Sequence, residues 1–270
     1  MVKKLLKHEF IYYGRSFGLF LPIVLVIGLM TRVFRFFDNG NILTGIAAGS
    51  SILLLVVACF TLIMMSSIIG IVRFYKNMYT AEGYLTFTLP VTNAQHIFVK
   101  LLVSLVCQAV CFVTVLAAAS IALAGETFLQ VVGSLGAAIR MLGDQCGAGN
   151  LVGYAIEFGI LLLLSVISSM LLYYACITIG QTAKKNRILM AVVAYFVYYV
   201  IMQVVSTVFS MVFMVLGMSG AMDSLMGWLT ANFIPALHVI LLVMILFSAA
   251  VSALFWFITQ TIMTKKLNLE

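Results

Sequence analysis

Charged residues are scarce in this sequence. Asp, Glu, Lys and Arg make up 9% of its 270 residues, whereas a soluble domain carries about a quarter. A chain that is 64% hydrophobic cannot hide so much apolar area from water in a soluble fold. Its apolar runs are long and do not alternate as the strands of a closed β-barrel would. The composition therefore predicts an all-α polytopic membrane protein.

Motifs for chemistry are also missing. The sequence contains no Gly-x4-Gly-Lys-Ser/Thr phosphate loop, no His-Glu-x-x-His and no Gly-x-Ser-x-Gly. The five cysteines form no Cys-x-x-Cys pair or Cys/His cluster, and His8, His96 and His238 are far apart in the sequence. We therefore expect no catalytic site, no ATP site, no metal and no other cofactor in this chain.

Six apolar stretches predict six membrane spans in one transmembrane domain covering residues 1–270. Their approximate bounds are 17–36, 46–72, 97–123, 151–180, 189–216 and 236–262. The amino terminus resembles a signal peptide, but no small-residue cleavage site follows its apolar run, so we expect a retained first span.

Residues 1–16 predict an amphipathic helix ahead of the first span. Apolar residues recur there at spacings of three and four, and the basic residues lie mostly on another face. This pattern favours a helix lying in the lipid headgroups, with an elbow at Gly14 and Arg15. The alternative is that it is simply the first part of a long first helix.

The basic residues indicate the orientation. An even number of spans puts both termini on one side, and that side then carries twelve Lys and Arg residues against three on the other. By the positive-inside rule, both termini are expected in the cytoplasm and the chain in the cell membrane. The net charge of +7 is thus an orientation signal and requires no nucleic-acid partner.

The predicted outer segments are small. Residues 127–141 could form a short surface helix, and the apolar segment 217–235 is expected to dip into the outer leaflet or pack on the bundle. Gly45 and Gly49 have a spacing that allows close helix contact in lipid, although this spacing is common by chance.

The stretch Arg73–Lys100 is the longest polar interruption on the predicted cytoplasmic side. Pro90 disfavours helix before it, and Thr92 with Gln95 forms a capping-box pattern that predicts a helix beginning at Asn93. Between these breaks we predict a separate short helix over about 79–88. Its aromatic residues and carboxylate suit a protein interface, and the alternative is a turn resting in headgroups. The candidate interface residues are Tyr79, Glu82, Gly83, Tyr84, Leu85, Phe87 and Pro90.

Few polar residues interrupt the spans. Glu157 is the best candidate for an ionisable group in a substrate cavity, because such groups are costly in lipid. It could bind a cationic substrate or pair with Arg32 or Arg35, or it could simply lie in the outer headgroups. Gln108 and Gln203 are weaker candidates for the lining of the same cavity.

The sequence resembles type-2 ABC transporter permeases in three features. These are the amino-terminal elbow helix, the six spans, and the Glu82-Gly83-x6-Pro90-Val91 pattern followed by Lys100. The resemblance implies an exporter subunit for an amphipathic or hydrophobic substrate. It also implies that residues 79–90 are a coupling helix docked on a separate cytoplasmic ATPase that holds ATP and Mg, and that a second permease subunit, identical or homologous, completes the transporter. The chain departs from members that carry a large extracellular domain. The alternatives are an ion-coupled secondary transporter and a non-transporting membrane scaffold.

Overall fold

The computed structural model describes residues 2–38, 40–80, 82–83, 88, 91–183 and 185–265, except for the side chains of residues 2, 126, 221, 222 and 225. These residues form α-helices and short connections, without a β-strand in the described ranges. The helices are α1 (Val2–Phe17), α2 (Phe20–Phe36), α3 (Ile42–Tyr79), α4 (Asn93–Leu123), α5 (Glu126–Cys146), α6 (Ala148–Gly180), α7 (Arg187–Met218), α8 (Ala221–Ala231) and α9 (Phe233–Lys265).

The described residues include six apolar helical stretches long enough to cross a membrane, and each contains one predicted span. They are Lys3–Phe36, which includes α2, and the helices α3, α4, α6, α7 and α9. Except for α2, the helices are longer than the predicted spans, and α3 extends farthest beyond its predicted end, to Tyr79. The longest, α3, has 38 residues and so extends for about 57 Å, well beyond a hydrocarbon core of about 30 Å. The protein is therefore an all-α multi-pass membrane protein.

The break between α1 and α2 lies at Gly18 and Leu19. The predicted elbow at Gly14 and Arg15 was wrong, because both residues are helical within α1. Pro22 explains the actual position. A proline has no N–H to donate to the carbonyl four residues earlier, and its ring clashes with that carbonyl. A continuous helix would place the carbonyl of Gly18 there, so the helix breaks at Gly18 and restarts with Pro22 in its first turn.

The start of α4 matches the prediction. The hydroxyl of Thr92 accepts a hydrogen bond from the Gln95 backbone N–H at 3.4 Å, and the Gln95 side chain accepts one from the Thr92 N–H at 3.2 Å. This reciprocal capping box satisfies donors that would otherwise be left at the helix terminus. It sets the beginning of α4 at Asn93.

Several connections within the described residues are also helical or tightly turned. The predicted surface helix over 127–141 lies within the longer α5, and the apolar segment 217–235 contains α8. Between α6 and α7, Asn186 adopts a left-handed conformation with φ 54°, which asparagine tolerates better than most residues. This conformation lets the chain turn sharply between two long helices.

The chain divides into two compact units, residues 1–140 and 141–270. In the first unit, α2 packs against α3 and α4, and α1 packs against α4. Gly28 lies at a close approach of α2 to α4, since a Cβ there would be 2.9 Å from the Ala118 carbonyl oxygen. By contrast, a Cβ on Gly45 or Gly49 would meet no described atom within 4 Å.

In the second unit, α6 packs extensively along α9 and also against α7, and α8 connects α7 to α9. No residue of α7 is buried. Its side chains are apolar over most of its length, so this helix presents a surface suited to lipid or to another membrane helix.

Substitution of Gly28 tests the close packing of α2 against α4 in the first unit. We expect Gly28→Ala to lower the melting temperature of the detergent-purified protein, because the neighbouring group is rigid backbone and overpacking costs about 1–3 kcal/mol. Gly49→Ala is the matched control, which we expect to be neutral or slightly stabilising through helix propensity. Equal melting temperatures for the two variants would contradict the close approach of α2 and α4.

Candidate functional site

Glu9 is the centre of a charged cluster in the first unit. It lies on the apolar face of α1, in line with Leu5, Tyr13 and Phe17, and its side chain is 2% exposed. Its Oε1 accepts hydrogen bonds from Lys100 Nζ at 2.9 Å and Asn77 Nδ2 at 2.7 Å. Three helices, α1, α3 and α4, thus meet at one carboxylate.

Arg73 extends this cluster towards the 80–92 segment. Its Nε donates to Glu9 Oε2 at 3.1 Å, and its Nη1 donates to Glu82 Oε2 at 3.3 Å. The guanidinium carbon lies 4.0 Å from the centre of the Tyr12 ring, an arrangement that favours a cation. We call Glu9, Arg73, Asn77, Glu82 and Lys100 the Glu9 cluster.

The formal charges of the Glu9 cluster balance, with two carboxylates against one lysine and one arginine. Burial disfavours ionisation of Glu9, but Lys100 and Arg73 outweigh it and hold the pKa of this carboxyl below its ordinary value of 4.5. The stabilisation from the ionised carboxylate is therefore present above that ordinary pKa. It is lost only as the pH falls through the lowered pKa of the folded state.

Burial determines how strongly each ion pair affects the stability of the folded protein. Glu9 and Lys100 are 2% and 4% exposed, whereas the Glu82 side chain is 56% exposed. A buried pair becomes costly when one partner is removed, because the remaining charge is left in a low-dielectric environment. An exposed pair contributes little to stability. Glu9 with Lys100 therefore holds the helices together, while Glu82 presents an accessible carboxylate beside them.

The structure describes some of the predicted interface residues and not others. Tyr79 ends α3, half-buried, with its ring 6.0 Å from that of Phe74. Gly83 is buried, and a Cβ there would be 2.7 Å from the Met78 carbonyl oxygen, so only glycine fits without movement. Glu82 and Gly83 are helical. Tyr84, Leu85, Phe87 and Pro90 lie outside the described residues, so the short helix over 79–88 stays a prediction.

Sequence reasoning missed Glu9. It is the sole carboxylate of α1, which otherwise carries Lys, Arg and His as its charged or basic residues, and it lies on the face that carries the apolar residues. A carboxylate within an apolar stripe is a signal for a buried ion pair. The sequence could have suggested this pair, although it could not have named Asn77, Arg73 and Lys100 as the partners.

A second polar cluster lies in the second unit, between α6 and α9. Glu157 Oε1 is 2.8 Å from His238 Nδ1, and the His238 ring stacks on Tyr154 with 4.2 Å between ring centres. The Tyr154 hydroxyl donates to the Ile234 carbonyl at 2.9 Å. Within the second unit, the partner of Glu157 is thus His238. A pairing of Glu157 with Arg32 or Arg35, which belong to the first unit, stays a prediction.

The other candidate residues have separate environments. Arg35 donates to the Ala122 carbonyl and to the Thr127 hydroxyl, each at 3.2 Å. Gln108, in the first unit, donates to Ser67 Oγ at 3.2 Å. Gln203, in the second unit, is exposed on α7. A shared cavity lined by Glu157, Gln108 and Gln203 stays a prediction.

The Glu9 cluster makes a prediction about stability. We expect Lys100→Met to cost about 3–5 kcal/mol, or roughly 6 °C or more in melting temperature, because it leaves the Glu9 carboxylate buried without its closest cation. The double variant Glu9→Gln/Lys100→Met should recover part of this loss, since neither buried charge remains. Thermal unfolding of the purified protein in detergent measures both effects.

The matched control is Lys4→Met, which removes an exposed lysine of α1 and should change stability little. If Lys100→Met were no more destabilising than Lys4→Met, the buried pair would not hold these helices together.

Comparison with protein-family models, with curated proteins and with solved structures finds no match to this chain. The sequence and the structure establish a multi-pass helical membrane protein with a balanced charged cluster in its first unit and a carboxylate–histidine pair in its second. A transport activity for this protein is therefore a proposal.

Proposed function

We propose that this chain is the membrane-spanning permease subunit of an ATP-binding-cassette exporter. In this proposal a separate cytoplasmic ATPase docks on the segment 79–90, binds ATP and Mg, and drives outward movement of an amphipathic or hydrophobic substrate. The chain itself is not an enzyme. A second permease subunit, identical or homologous, would complete the transporter in the cell membrane.

The Glu9 cluster is the observation that supports this proposal best. A segment that receives force from a soluble partner requires a firm attachment to the membrane helices. Glu82, one of the predicted docking residues, is hydrogen-bonded to Arg73, and Arg73 is hydrogen-bonded to the carboxylate of Glu9, which joins α1 to α4. A displacement of this segment would therefore move three helices together.

The mechanism follows from the linkage between nucleotide and conformation. ATP can drive the permease between two states only if the ATPase dimer binds the two arrangements of its docking segments with different affinity. Closure of the ATPase dimer would displace the segment 79–90, and the Glu9 cluster would pass that displacement to α1, α3 and α4. The protein's own contribution is stiffness at this junction and a path for the substrate.

The exposed surface of α7 agrees with a transporter of more than one subunit. No residue of this helix is buried within the chain, and tight packing between membrane helices requires a partner surface. A second permease subunit or lipid would cover it. The proposal expects both termini on the side of the ATPase, in keeping with the distribution of basic residues.

Co-purification tests the proposal. We expect the tagged chain, extracted in mild detergent, to bring down a soluble ATPase in roughly equal amount. Glu82→Lys should weaken that association about tenfold, or about 1.4 kcal/mol, because it reverses the charge at the docking segment. The melting temperature of the variant alone should stay close to that of the wild type, since Glu82 is an exposed partner.

Asp38→Lys is the matched control, because Asp38 is an exposed carboxylate on the opposite side of the predicted topology. It should leave the association unchanged. Transport of a substrate by the purified chain without a nucleotide-hydrolysing partner would overturn the proposal, and so would a demonstration that residues 79–88 lie outside the cell.

One observation favours a second candidate function, an ion-coupled secondary transporter. Glu157 and His238 are half-buried titratable groups in contact between two membrane helices, and intramembrane ionisable residues often belong to proton pathways. Glu157 Oε2 is also buried without a hydrogen-bond partner among the described residues. A carboxylate–histidine pair of this kind could exchange a proton during transport.

Vesicle transport separates the two candidates. If the chain is an ATP-driven exporter, accumulation of a fluorescent hydrophobic dye in everted vesicles should require ATP and persist when a protonophore collapses the proton gradient. In that case Glu157→Gln should at most change how dye accumulation depends on the dye concentration, and it should leave ATP-driven accumulation in place. Dye uptake that follows the proton gradient, needs no ATP and is abolished by Glu157→Gln would establish the ion-coupled alternative.

A further inference from the structure

A cavity of about 300 Å³ lies among α6, α7 and α9 in the second unit. This volume is at the lower end of the range typical of small-molecule sites. The cavity is lined by Ser165, Ser168, Ser169, Leu172, Tyr198, Met202, Phe247, Ser248 and Val251. It combines hydroxyl groups with apolar and aromatic side chains, and its described lining includes no charged residue.

The cavity lies near the middle of the membrane helices. All of its lining residues except Leu172 fall within the middle third of α6, α7 or α9. If these helices cross the bilayer symmetrically, the cavity lies in the hydrocarbon core, about 15 Å from either edge. Lipid-facing positions at this depth are normally apolar, so four serines lining one cavity call for an explanation.

The hydroxyl groups in the cavity differ in their hydrogen bonds. Ser165 and Ser169 donate to backbone carbonyls of their own helix, at 2.7 and 2.8 Å, which is how serine is usually satisfied in a membrane helix. Ser168 on α6 and Ser248 on α9 are half-buried, and neither donates to a carbonyl or side chain in the part of the chain that the structure describes. Two donors on facing helices are thus available to a molecule in the cavity.

We propose that this cavity binds an uncharged, mainly apolar molecule that carries a hydrogen-bond acceptor, such as an ester, a ketone or an alcohol. Ser168 and Ser248 donate to the acceptor oxygen, while Leu172, Phe247 and Val251 contact the apolar body. A charged molecule is excluded because the lining offers no opposite charge, and an ion at this depth is costly without one. Ser165, Met202 and Phe247 are exposed and form the open side, through which such a molecule enters laterally.

Binding of an uncharged molecule in this cavity does not depend on the proposed export function. The further conclusion that such a molecule is the transported substrate rests on that function. The test below therefore measures binding alone, with the purified full chain in lipid nanodiscs and without ATP or an ATPase, so that its failure is distinct from a failure to find an ATPase partner.

The probe is octanol carrying a photoreactive diazirine on its chain, and mass spectrometry locates the labelled residues. We expect labels on peptides that contain residues 195–205 and 244–252, reduced by competition with unlabelled octanol. The charged analogue, a diazirine-bearing octylammonium, should label these peptides at least tenfold less. Label confined to other parts of the chain, or equal labelling by the charged probe, would overturn the proposal.

Variants test the two donors. Ser168→Ala/Ser248→Ala removes both hydroxyls at nearly unchanged side-chain volume and should reduce labelling of these peptides about fivefold or more. Ser168→Phe should reduce it by filling the cavity. Ser206→Ala is the matched control, because Ser206 lies at similar depth on α7 but outside the cavity lining, and it should label as the wild type does.

Each variant is first compared with the wild type by melting temperature and gel filtration, and Ser248→Ala replaces the double variant if that variant fails to fold. Unchanged labelling in Ser168→Phe and in the hydroxyl-free variant would overturn the assignment. Stronger competition by a long-chain diacylglycerol than by octanol would identify the uncharged occupant as a lipid. Stronger competition by octanol would identify it as a free amphiphile. Both outcomes support a site for an uncharged acceptor-bearing molecule.

Discussion

A carboxylate removed from water needs cations or donors within hydrogen-bond distance, and Glu9 imposes this requirement on the first unit of the chain. Its two oxygens accept from Arg73, Asn77 and Lys100. These partners are far from Glu9 in the sequence, so the chain must bring α1, the end of α3 and the beginning of α4 together to satisfy one charge. The hydrophobic effect is non-directional, so apolar packing alone would define the positions of these helices along one another less sharply. The hydrogen bonds to the Glu9 carboxylate require specific donor positions on α3 and α4, and they therefore fix those positions.

The two units use polarity differently. The first buries a carboxylate and a lysine in one balanced cluster next to the 80–92 segment, which the proposed function requires to be rigid. The second has a carboxylate–histidine pair between α6 and α9 and, farther along the same helices, a cavity whose described lining is neutral. Charged groups cost much more than hydroxyl groups at the centre of a bilayer. A site that must admit and release apolar molecules is therefore better lined by serine, which holds an acceptor oxygen without binding it too strongly.

The sequence was sufficient for features that depend on local chemistry or composition. Long apolar runs predicted the six spans, and the spacing of Thr92 and Gln95 predicted the start of α4, which the structure confirms. The predicted elbow relied on Gly14 and Arg15, whereas Pro22 sets the actual break, because a proline disrupts the helix at the carbonyl four residues earlier. Tertiary partners were beyond prediction, because nothing local to Glu157 points to His238, which lies 81 residues away.

The proposed function supplies a reason for the buried charges of the Glu9 cluster in a strongly apolar chain. Replacing such a network with apolar side chains of similar volume is often neutral or stabilising, so stability alone is a weak reason to keep it. A network that fixes the relative positions of three helices has a mechanical consequence that apolar packing lacks. Under the proposed function, force applied near Glu82 would reach α3 through Arg73, and the shared carboxylate would pass it to α1 and α4. Coupling over distance requires elements that move between discrete arrangements as one body, and in that proposal this junction supplies the connection within such a body.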